Sequence, residues 1–228
     1  MSSYINIGIY TPQRAAMLVG VKPQRLARWI NGYDKKTGSE KTHHEPLWPL
    51  ELPEIDGYKV LGFRDLIEAL FISNFVKAGL SLPLVRKALI ALRDIVDDDH
   101  PFSTGKMRTD GKSLFLEIAR DIDEAELLNI VSNQHAFKKI IEPSFKKQFD
   151  FNDEIVSRWY PDYGKKIVID PKRSFGDPIL AKSGVPTDTL YEYSKHHPDI
   201  KKISQWFEIP EADVRAAIAF ESNIAEAA

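Results

Sequence analysis

Two pairs of short amphipathic helices joined by tight turns constrain the fold of this chain more than any other feature. The first pair spans residues 8–30 and the second spans 62–96, and a glycine separates the helices within each pair. In the first pair, Thr11 suits an N-cap, Pro12 suits the first helical position and Gly20 suits the left-handed residue that ends a helix. A tight turn between two short helices is also the layout of a DNA-reading helix-turn-helix.

The second helix of the first pair has an apolar face and a basic face. Leu26, Trp29 and Ile30 recur at helical spacing and are predicted to point inward. The side chains left on the outer face are those of Gln24, Arg25 and Arg28. Arg can bind guanine and Gln can bind adenine through paired hydrogen bonds, so these residues are candidates for contacting base edges. Four further side chains suit phosphates instead, namely Lys22, Lys35, Lys36 and Arg64.

Residues 31–61 are predicted to form a wing, because about 30 residues without secondary structure are unusual in a compact domain. We expect one or two short strands with a mobile basic tip. That tip comprises Lys35, Lys36, Lys41, His43 and His44. Residues 46–52 should then lie back on the domain, with Trp48 as their anchor.

The next part of the chain continues with helices and then becomes less regular. A third helix is predicted over 63–79 and a fourth over 81–96. Their inward side chains are Leu66, Ile67, Leu70, Phe71 and Phe75 in the third helix, and Leu82, Val85, Leu89, Leu92 and Val96 in the fourth. An Asp-Gly pair within 107–116 predicts a β-hairpin with a type I′ turn. A helix over 123–132 and a partly extended connector up to residue 160 follow.

The last part of the chain is predicted to be a small unit of short strands and three helices. The strand is expected at 167–169 and the helices at 187–195, 199–207 and 210–222. The last two helices form a second helix-turn-helix, packed through Ile203, Trp206, Phe207, Val214, Ile218 and Phe220. Residues 203–228 contain five acidic side chains and one basic side chain. Such a surface should repel DNA and could complement a basic RNA-binding cleft on a nuclease partner. An ordinary solvated helix face is the alternative interpretation.

The charge of the chain is distributed unevenly, although its formal net charge is only −2. Residues 1–45 contain seven basic and three acidic side chains, so a basic N-terminal part precedes an acidic remainder. This asymmetry favours a nucleic-acid-binding module attached to a unit with another role. No apolar run is long enough for a membrane helix and no signal peptide is recognisable. We therefore expect a cytoplasmic protein with no membrane partner.

No motif in the chain predicts catalysis, a bound metal or a cofactor. The absence of cysteine removes disulfides, thiolate nucleophiles and thiolate zinc sites. The pairs His43-His44 and His196-His197 are adjacent, and adjacent side chains point apart on helices and strands. Residues 97–100 could bind a cation, but an acidic loop that closes a helix is the simpler interpretation. No nucleophile motif or phosphate-binding glycine loop is present, so we expect no enzyme.

The first part of the chain resembles the mercury-resistance regulator (MerR-like) family. The resemblance is carried by Tyr10-Thr11, Ala15-Ala16, Gly20-Val21, Pro23, Leu26 and Trp29, and further on by Phe63-Arg64-Asp65 and Ala78-Gly79-Leu80-Ser81-Leu82. It implies that the second helix enters the major groove of DNA, that the following loop acts as a wing and that the third helix touches the DNA backbone. After the fourth helix the sequence departs from that family, because its Asp-rich residues and the following pattern predict a hairpin instead of a long dimerising helix.

The last part resembles a small antitoxin-associated domain found in VapB-type antitoxins. The matching residues are Asp170-Pro171, Phe175-Gly176-Asp177-Pro178, Gly184-Val185-Pro186-Thr187 and the Ala-Ala-Ile-Ala-Phe-Glu end, and Arg158-Trp159-Tyr160-Pro161 resembles antitoxins that fuse this domain to a MerR-like head. The resemblance implies a PIN-like ribonuclease toxin as the partner.

These patterns together predict a mainly α-helical protein in three parts. We expect a MerR-like winged helix-turn-helix domain over 1–97, a hairpin and helical connector over 98–160 and an antitoxin-associated domain over 161–228. The implied function is that of an antitoxin that binds operator DNA of its own operon and neutralises a PIN-like ribonuclease toxin. Operators are read by two-fold assemblies, so a homodimer is expected. A stand-alone MerR-like transcription regulator is the alternative, and the sequence does not specify the toxin-binding surface.

Overall fold

The structure is a computed structural model that describes residues 7–37, 40–107, 148–162 and 164–226. Within those ranges the protein is mainly helical, and its strands form separate antiparallel pairs. The helices are α1 (Pro12–Val19), α2 (Pro23–Asn31), α3 (Phe63–Lys77), α4 (Leu82–Val96), α5 (Thr187–His196), α6 (Ile200–Phe207) and α7 (Glu211–Glu226). The strand pairs are β1 (Tyr33–Thr37) with β2 (Glu40–His44), β3 (Phe149–Asn152) with β4 (Ile155–Trp159), and β5 (Ile167–Val168) with β6 (Ile179–Leu180).

The first helix pair forms as its caps predict. The Thr11 side chain accepts a hydrogen bond of 3.2 Å from the Arg14 amide, and Gly20 adopts the left-handed conformation at φ 64°. Val21 is buried between the helices. Lys22 stands at the N-cap of α2 and makes no capping hydrogen bond with its side chain. Packing of the apolar face therefore stabilises α2, as its three predicted inward residues are all buried.

The third and fourth helices also lie where the pattern predicts them, with one difference at the start of α4. Leu82 is only partly buried, whereas Leu84 is buried together with the four other predicted inward residues of that helix. Ser81 occupies the N-cap position without a capping hydrogen bond from its hydroxyl. Pro83 in the first helical turn has a fixed φ that suits a helix, and it has no backbone N–H that would need a cap.

A buried carboxylate joins the segments around the start of α3. Asp65 is fully buried and accepts hydrogen bonds from the Trp48 indole at 2.9 Å, the Gly62 amide at 2.7 Å and the Glu51 amide at 3.1 Å. His100 Nε2 lies 2.7 Å from the same carboxylate. Trp48 is thus the predicted anchor of residues 46–52, and a polar partner inside the core holds its ring in place.

The connector contains a hairpin that the sequence pattern did not reveal. β3 and β4 join through Asp153 and Glu154, both left-handed at φ 48° and 65°, the conformation of a type I′ turn. The hairpin predicted at 107–116 and the helix predicted at 123–132 lie outside the described residues, apart from Met107. Met107 is helical and buried in the core, so the predicted strand does not begin there.

The C-terminal helices form close to their predicted positions, but α7 continues to Glu226. A small hydrophobic cluster holds this part together and comprises Leu180, Leu190, Ile203, Ile209, Val214 and Ala217. Trp206 was predicted to pack there, and this is wrong because its side chain is 75% exposed. Ile200, Ile203 and Phe207 share the inward face of α6 at spacings of three and four residues, which leaves Trp206 outside that face.

The interior of α3 holds a second buried carboxylate, on Glu68. One of its oxygens accepts a hydrogen bond of 2.8 Å from the Phe102 amide, and the other has no hydrogen-bond partner among the described residues. Burial raises the pKa of Glu68 well above its usual range. Because the pKa of this carboxyl is higher in the folded state than in the unfolded state, its contribution to the free energy of unfolding is largest at acidic pH. That contribution falls as the pH rises above the pKa of the unfolded state.

We expect Glu68→Gln to stabilise the protein, because the amide cannot ionise inside the core. The gain in the free energy of unfolding should be about 1 kcal/mol or more greater at pH 8 than at pH 5. Urea unfolding of both proteins at the two pH values measures it, and an equal gain at both would contradict a protonated Glu68.

Candidate nucleic-acid interface

The exposed face of α2 brings four of the predicted DNA-binding residues together. Lys22, Gln24, Arg25 and Arg28 line one open cleft of about 400 Å³, together with Trp29, with Val76 at the end of α3 and with Leu82 at the start of α4. Lys22, Gln24, Arg25 and Arg28 are all exposed, whereas the opposite face of α2 is buried. The helix therefore presents cationic and amide groups on a rigid support.

The hairpin of β1 and β2 begins directly after α2 and carries two further candidates. Lys35 and Lys36 are exposed on β1. The turn into β1 needs Gly32, which has φ 71°, because a Cβ atom there would lie 2.4 Å from the His44 carbonyl oxygen. On the far side of the hairpin, the Leu47 amide donates a hydrogen bond of 2.7 Å to a carbonyl of α2. Both ends of the hairpin are thus fixed to the helix.

An aromatic stack links α2 to this hairpin. The guanidinium of Arg28 lies 4.0 Å from the centre of the Tyr33 ring, and that ring stacks on His44 at 4.7 Å. A cation over an aromatic face is attracted by the ring and loses little of its exposure. The stack joins α2 to both strands of the hairpin, while the Arg28 side chain stays exposed. Tyr33 is not among the residues predicted to form the site, although its position directly after Asn31-Gly32 places it beside α2.

Part of the basic charge of the hairpin is neutralised within it. Asp34 lies 2.8 Å from the Lys41 ammonium group and 2.8 Å from His43 Nδ1. Hydrogen bonds from Lys41 and from His43 lower the pKa of Asp34. Lys41 and His43 are therefore paired with an acid on the neighbouring strand, whereas Lys35 and Lys36 are exposed on β1.

Arg64 does not join the group on α2. Its guanidinium donates hydrogen bonds to Asp98 at 2.6 Å, to the Ser103 hydroxyl at 2.8 Å and to the His100 carbonyl at 3.3 Å. The side chain holds the chain segment after α4 against the start of α3. A cation with three internal acceptors is poorly placed to bind phosphate, so the geometry does not favour Arg64 as a DNA contact.

The side chains of the adjacent residues His43 and His44 contact different partners. His43 turns to Asp34, whereas His44 stacks on Tyr33. Across the described ranges, no group of three or more His, Asp or Glu side chains is arranged to hold a metal ion. In the same ranges no helix is long and apolar enough to cross a membrane.

The acidic C-terminal unit offers less free negative charge than its composition indicates. Three of its five acidic side chains form ion pairs inside this protein: Glu221 with Arg14 at 2.9 Å, Asp213 with Lys166 at 3.3 Å and Glu211 with Arg215 at 3.3 Å. Glu208 and Glu226 are exposed. Within residues 203–226, the large apolar side chain that stands exposed is the indole of Trp206, at 75%.

Arg14 is a basic residue whose role the sequence did not reveal. It extends from α1 and forms two parallel hydrogen bonds of 2.9 Å with the carboxylate of Glu221 on α7. The two residues are separated by 207 positions. No local pattern reports a contact at that separation, so only complementary charges in a set of similar sequences could have indicated it.

Comparison with known proteins gives three findings. Residues 167–220 match a family described as proteins of unknown function, DUF433. Over 192 residues the chain is 27% identical to "Putative antitoxin VapB45" of Mycobacterium tuberculosis, which covers 79% of this chain and 80% of that protein. The crystal structure of Rv2018 from Mycobacterium tuberculosis has a TM-score of 0.74 and 23% identity, covering 94% of this chain and 99% of that chain. The chain thus shares its fold with Rv2018 and is similar along most of its length to a protein named as an antitoxin.

We expect Tyr33→Ala to loosen the hairpin, because it removes both the cation–aromatic contact and the ring stack. Such a contact at an exposed site is worth about 0.5–1 kcal/mol, so amide hydrogen exchange in β1 and β2 should accelerate about threefold. Tyr33→Phe keeps the ring and should exchange like the native protein. Equal acceleration in α1 would show that the change spreads beyond the hairpin.

Proposed function

We propose that this chain is an antitoxin that binds operator DNA through α2 and holds a PIN-like ribonuclease toxin through its C-terminal part. The observation that carries the DNA-binding half is the convergence of Lys22, Gln24, Arg25 and Arg28 on one exposed helix face. The similarity to a protein named as an antitoxin supports the toxin-binding half. In this proposal the protein represses its own operon and has no catalytic role.

The proposed contact with DNA follows from the position of each side chain. α2 lies in the major groove, where Gln24, Arg25 and Arg28 reach base edges. Lys22 at the start of α2 and the exposed Lys35 and Lys36 of the hairpin neutralise phosphates on either side. The hairpin then acts as a wing, and a two-fold assembly of this chain places two such helices on successive turns of the duplex.

The proposed toxin contact involves the domain that we assign to residues 161–228. Trp206 supports this assignment, because tryptophan is enriched among the residues that dominate the affinity of protein interfaces. Its indole stands on a helix whose opposite face packs into the small C-terminal cluster, so the backbone beneath it is well supported. In this scheme residues 1–97 are the DNA-binding domain and residues 98–160 connect the two.

Replacing Arg25 and Arg28 together by alanine should weaken binding to a duplex from upstream of the protein's own gene by about tenfold or more, since a bidentate base contact contributes about 1–3 kcal/mol. Fluorescence anisotropy over a range of salt concentrations measures this. The matched control replaces Lys201 and Lys202 on α6, which removes the same charge from the C-terminal part. Equal losses in the two double variants would mean that the net charge, and not α2, governs binding.

The full-length tagged chain, purified from its native host, should retain a small protein in fixed ratio, identifiable by mass spectrometry. Trp206→Ala should weaken this association by about tenfold or more, because interface tryptophans often contribute at least 2 kcal/mol. Tyr58→Ala is the matched control, since Tyr58 is equally exposed at 75% and lies in the N-terminal part. A purified chain that carries DNA but no protein would favour the stand-alone regulator.

A further inference from the structure

An ion pair joins the first helix of the helix-turn-helix to the last helix of the C-terminal part. The guanidinium of Arg14 meets the carboxylate of Glu221 through two hydrogen bonds, and the Thr187 hydroxyl donates a third to the same carboxylate. The Glu221 side chain is only 4% exposed and that of Arg14 is 20% exposed. A bidentate pair with so little water around it fixes both the distance and the angle between its helices.

A second contact beside the ion pair ties the same two parts together. The Tyr10 hydroxyl donates a hydrogen bond of 2.8 Å to the Gly176 carbonyl, and the Ile9 amide donates one of 3.1 Å to the Phe175 carbonyl. Gly176 has φ 87°, and a Cβ atom there would lie 2.3 Å from the Tyr10 hydroxyl. Ile224 of α7 also packs into the hydrophobic core of the N-terminal part. We call this set of contacts the joint. It combines an ion pair, hydrogen bonds to two backbone carbonyls and apolar packing.

The joint acts on α1, and α1 determines the orientation of α2. The two helices share a buried core and are separated only by the turn at Gly20 and Val21, so a rotation of α1 carries α2 with it. Arg14 itself is not free to bind phosphate, because both of its terminal nitrogen atoms are engaged by Glu221. The C-terminal carboxylate thus restrains the surface on which Arg25 and Arg28 lie.

We infer that Glu221 is a positioning residue for DNA binding, so that an acidic side chain of the C-terminal part raises the affinity of the helix-turn-helix for DNA. The inference rests on the DNA-binding half of the proposed function. The expected effect of removing this carboxylate on DNA affinity is opposite in sign to that expected from net charge alone. Removing a negative charge from a protein ordinarily strengthens its binding to a polyanion, whereas removing a positioning group weakens it.

The test compares Glu221→Gln with Glu208→Gln, an exposed acid of the same part. The probe is a fluorescent duplex from upstream of the protein's own gene, and affinity is measured at fixed salt. Glu221→Gln should bind about tenfold more weakly, in the range of couplings between linked sites. Glu208→Gln should bind as the native protein does or slightly more tightly. Unchanged or tighter binding by a folded Glu221→Gln protein overturns the inference.

Arg14→Lys separates positioning from a direct contact of Arg14 with DNA. Lysine keeps the positive charge but loses the planar fork that matches a carboxylate. Positioning predicts a loss similar to that of Glu221→Gln and no additional loss in the double variant. Full affinity in Arg14→Lys overturns the inference, because it shows that the fork is not needed.

A measurement on the native protein covers the case in which these variants do not fold. Hydrogen exchange of the amides of α7 is followed with and without the duplex. Coupling is reciprocal, so DNA binding should slow exchange in α7, which lies outside the proposed DNA surface. Unchanged exchange in α7 overturns the inference. If the native protein does not bind the duplex at all, the proposed function fails instead.

Discussion

The buried carboxylate of Asp65 is the interaction on which the region around the candidate DNA surface depends. A carboxyl group away from water is unfavourable unless it is hydrogen-bonded, and Asp65 accepts hydrogen bonds from the Trp48 indole and two backbone amides and lies beside the His100 ring. Moving one of these segments would break a buried hydrogen bond, so the segments keep a common geometry. Leu47, beside the anchored indole, is in turn bonded to the Trp29 carbonyl at the end of α2. The position of α2 and of its exposed face thus depends on the buried Asp65 carboxyl group.

Much of the fold and the main part of the candidate site could be predicted from local sequence patterns. Caps and helical periodicity act over four residues or fewer, so Thr11, Gly20 and the apolar face of α2 were placed correctly. The same periodicity determined which side chains of α2 are exposed. It therefore identified Gln24 and Arg25 as neighbours on one surface, whether or not DNA binds there.

The remaining features depend on contacts between residues far apart in the sequence. Arg64 is chemically suited to bind phosphate, but its guanidinium donates a hydrogen bond to Asp98, which lies 34 positions away in the sequence. Trp206 is a side chain type that is often buried, but the short helix α6 buries only one face, and that face carries Ile203. No local sequence pattern indicates the ion pair that Arg14 forms with Glu221. In each case tertiary geometry decides between two chemically reasonable roles for the same side chain.

The separation of 207 positions between Arg14 and Glu221 also has a consequence for the order of events during synthesis. A ribosome completes α1 and α2 long before it makes α7, and contacts between distant residues form late because the intervening chain must first be closed into a loop. The nascent helix-turn-helix therefore lacks one of its restraints until translation has passed residue 221. If α2 binds DNA as we propose, high affinity for DNA then reports that the C-terminal part has been made and folded.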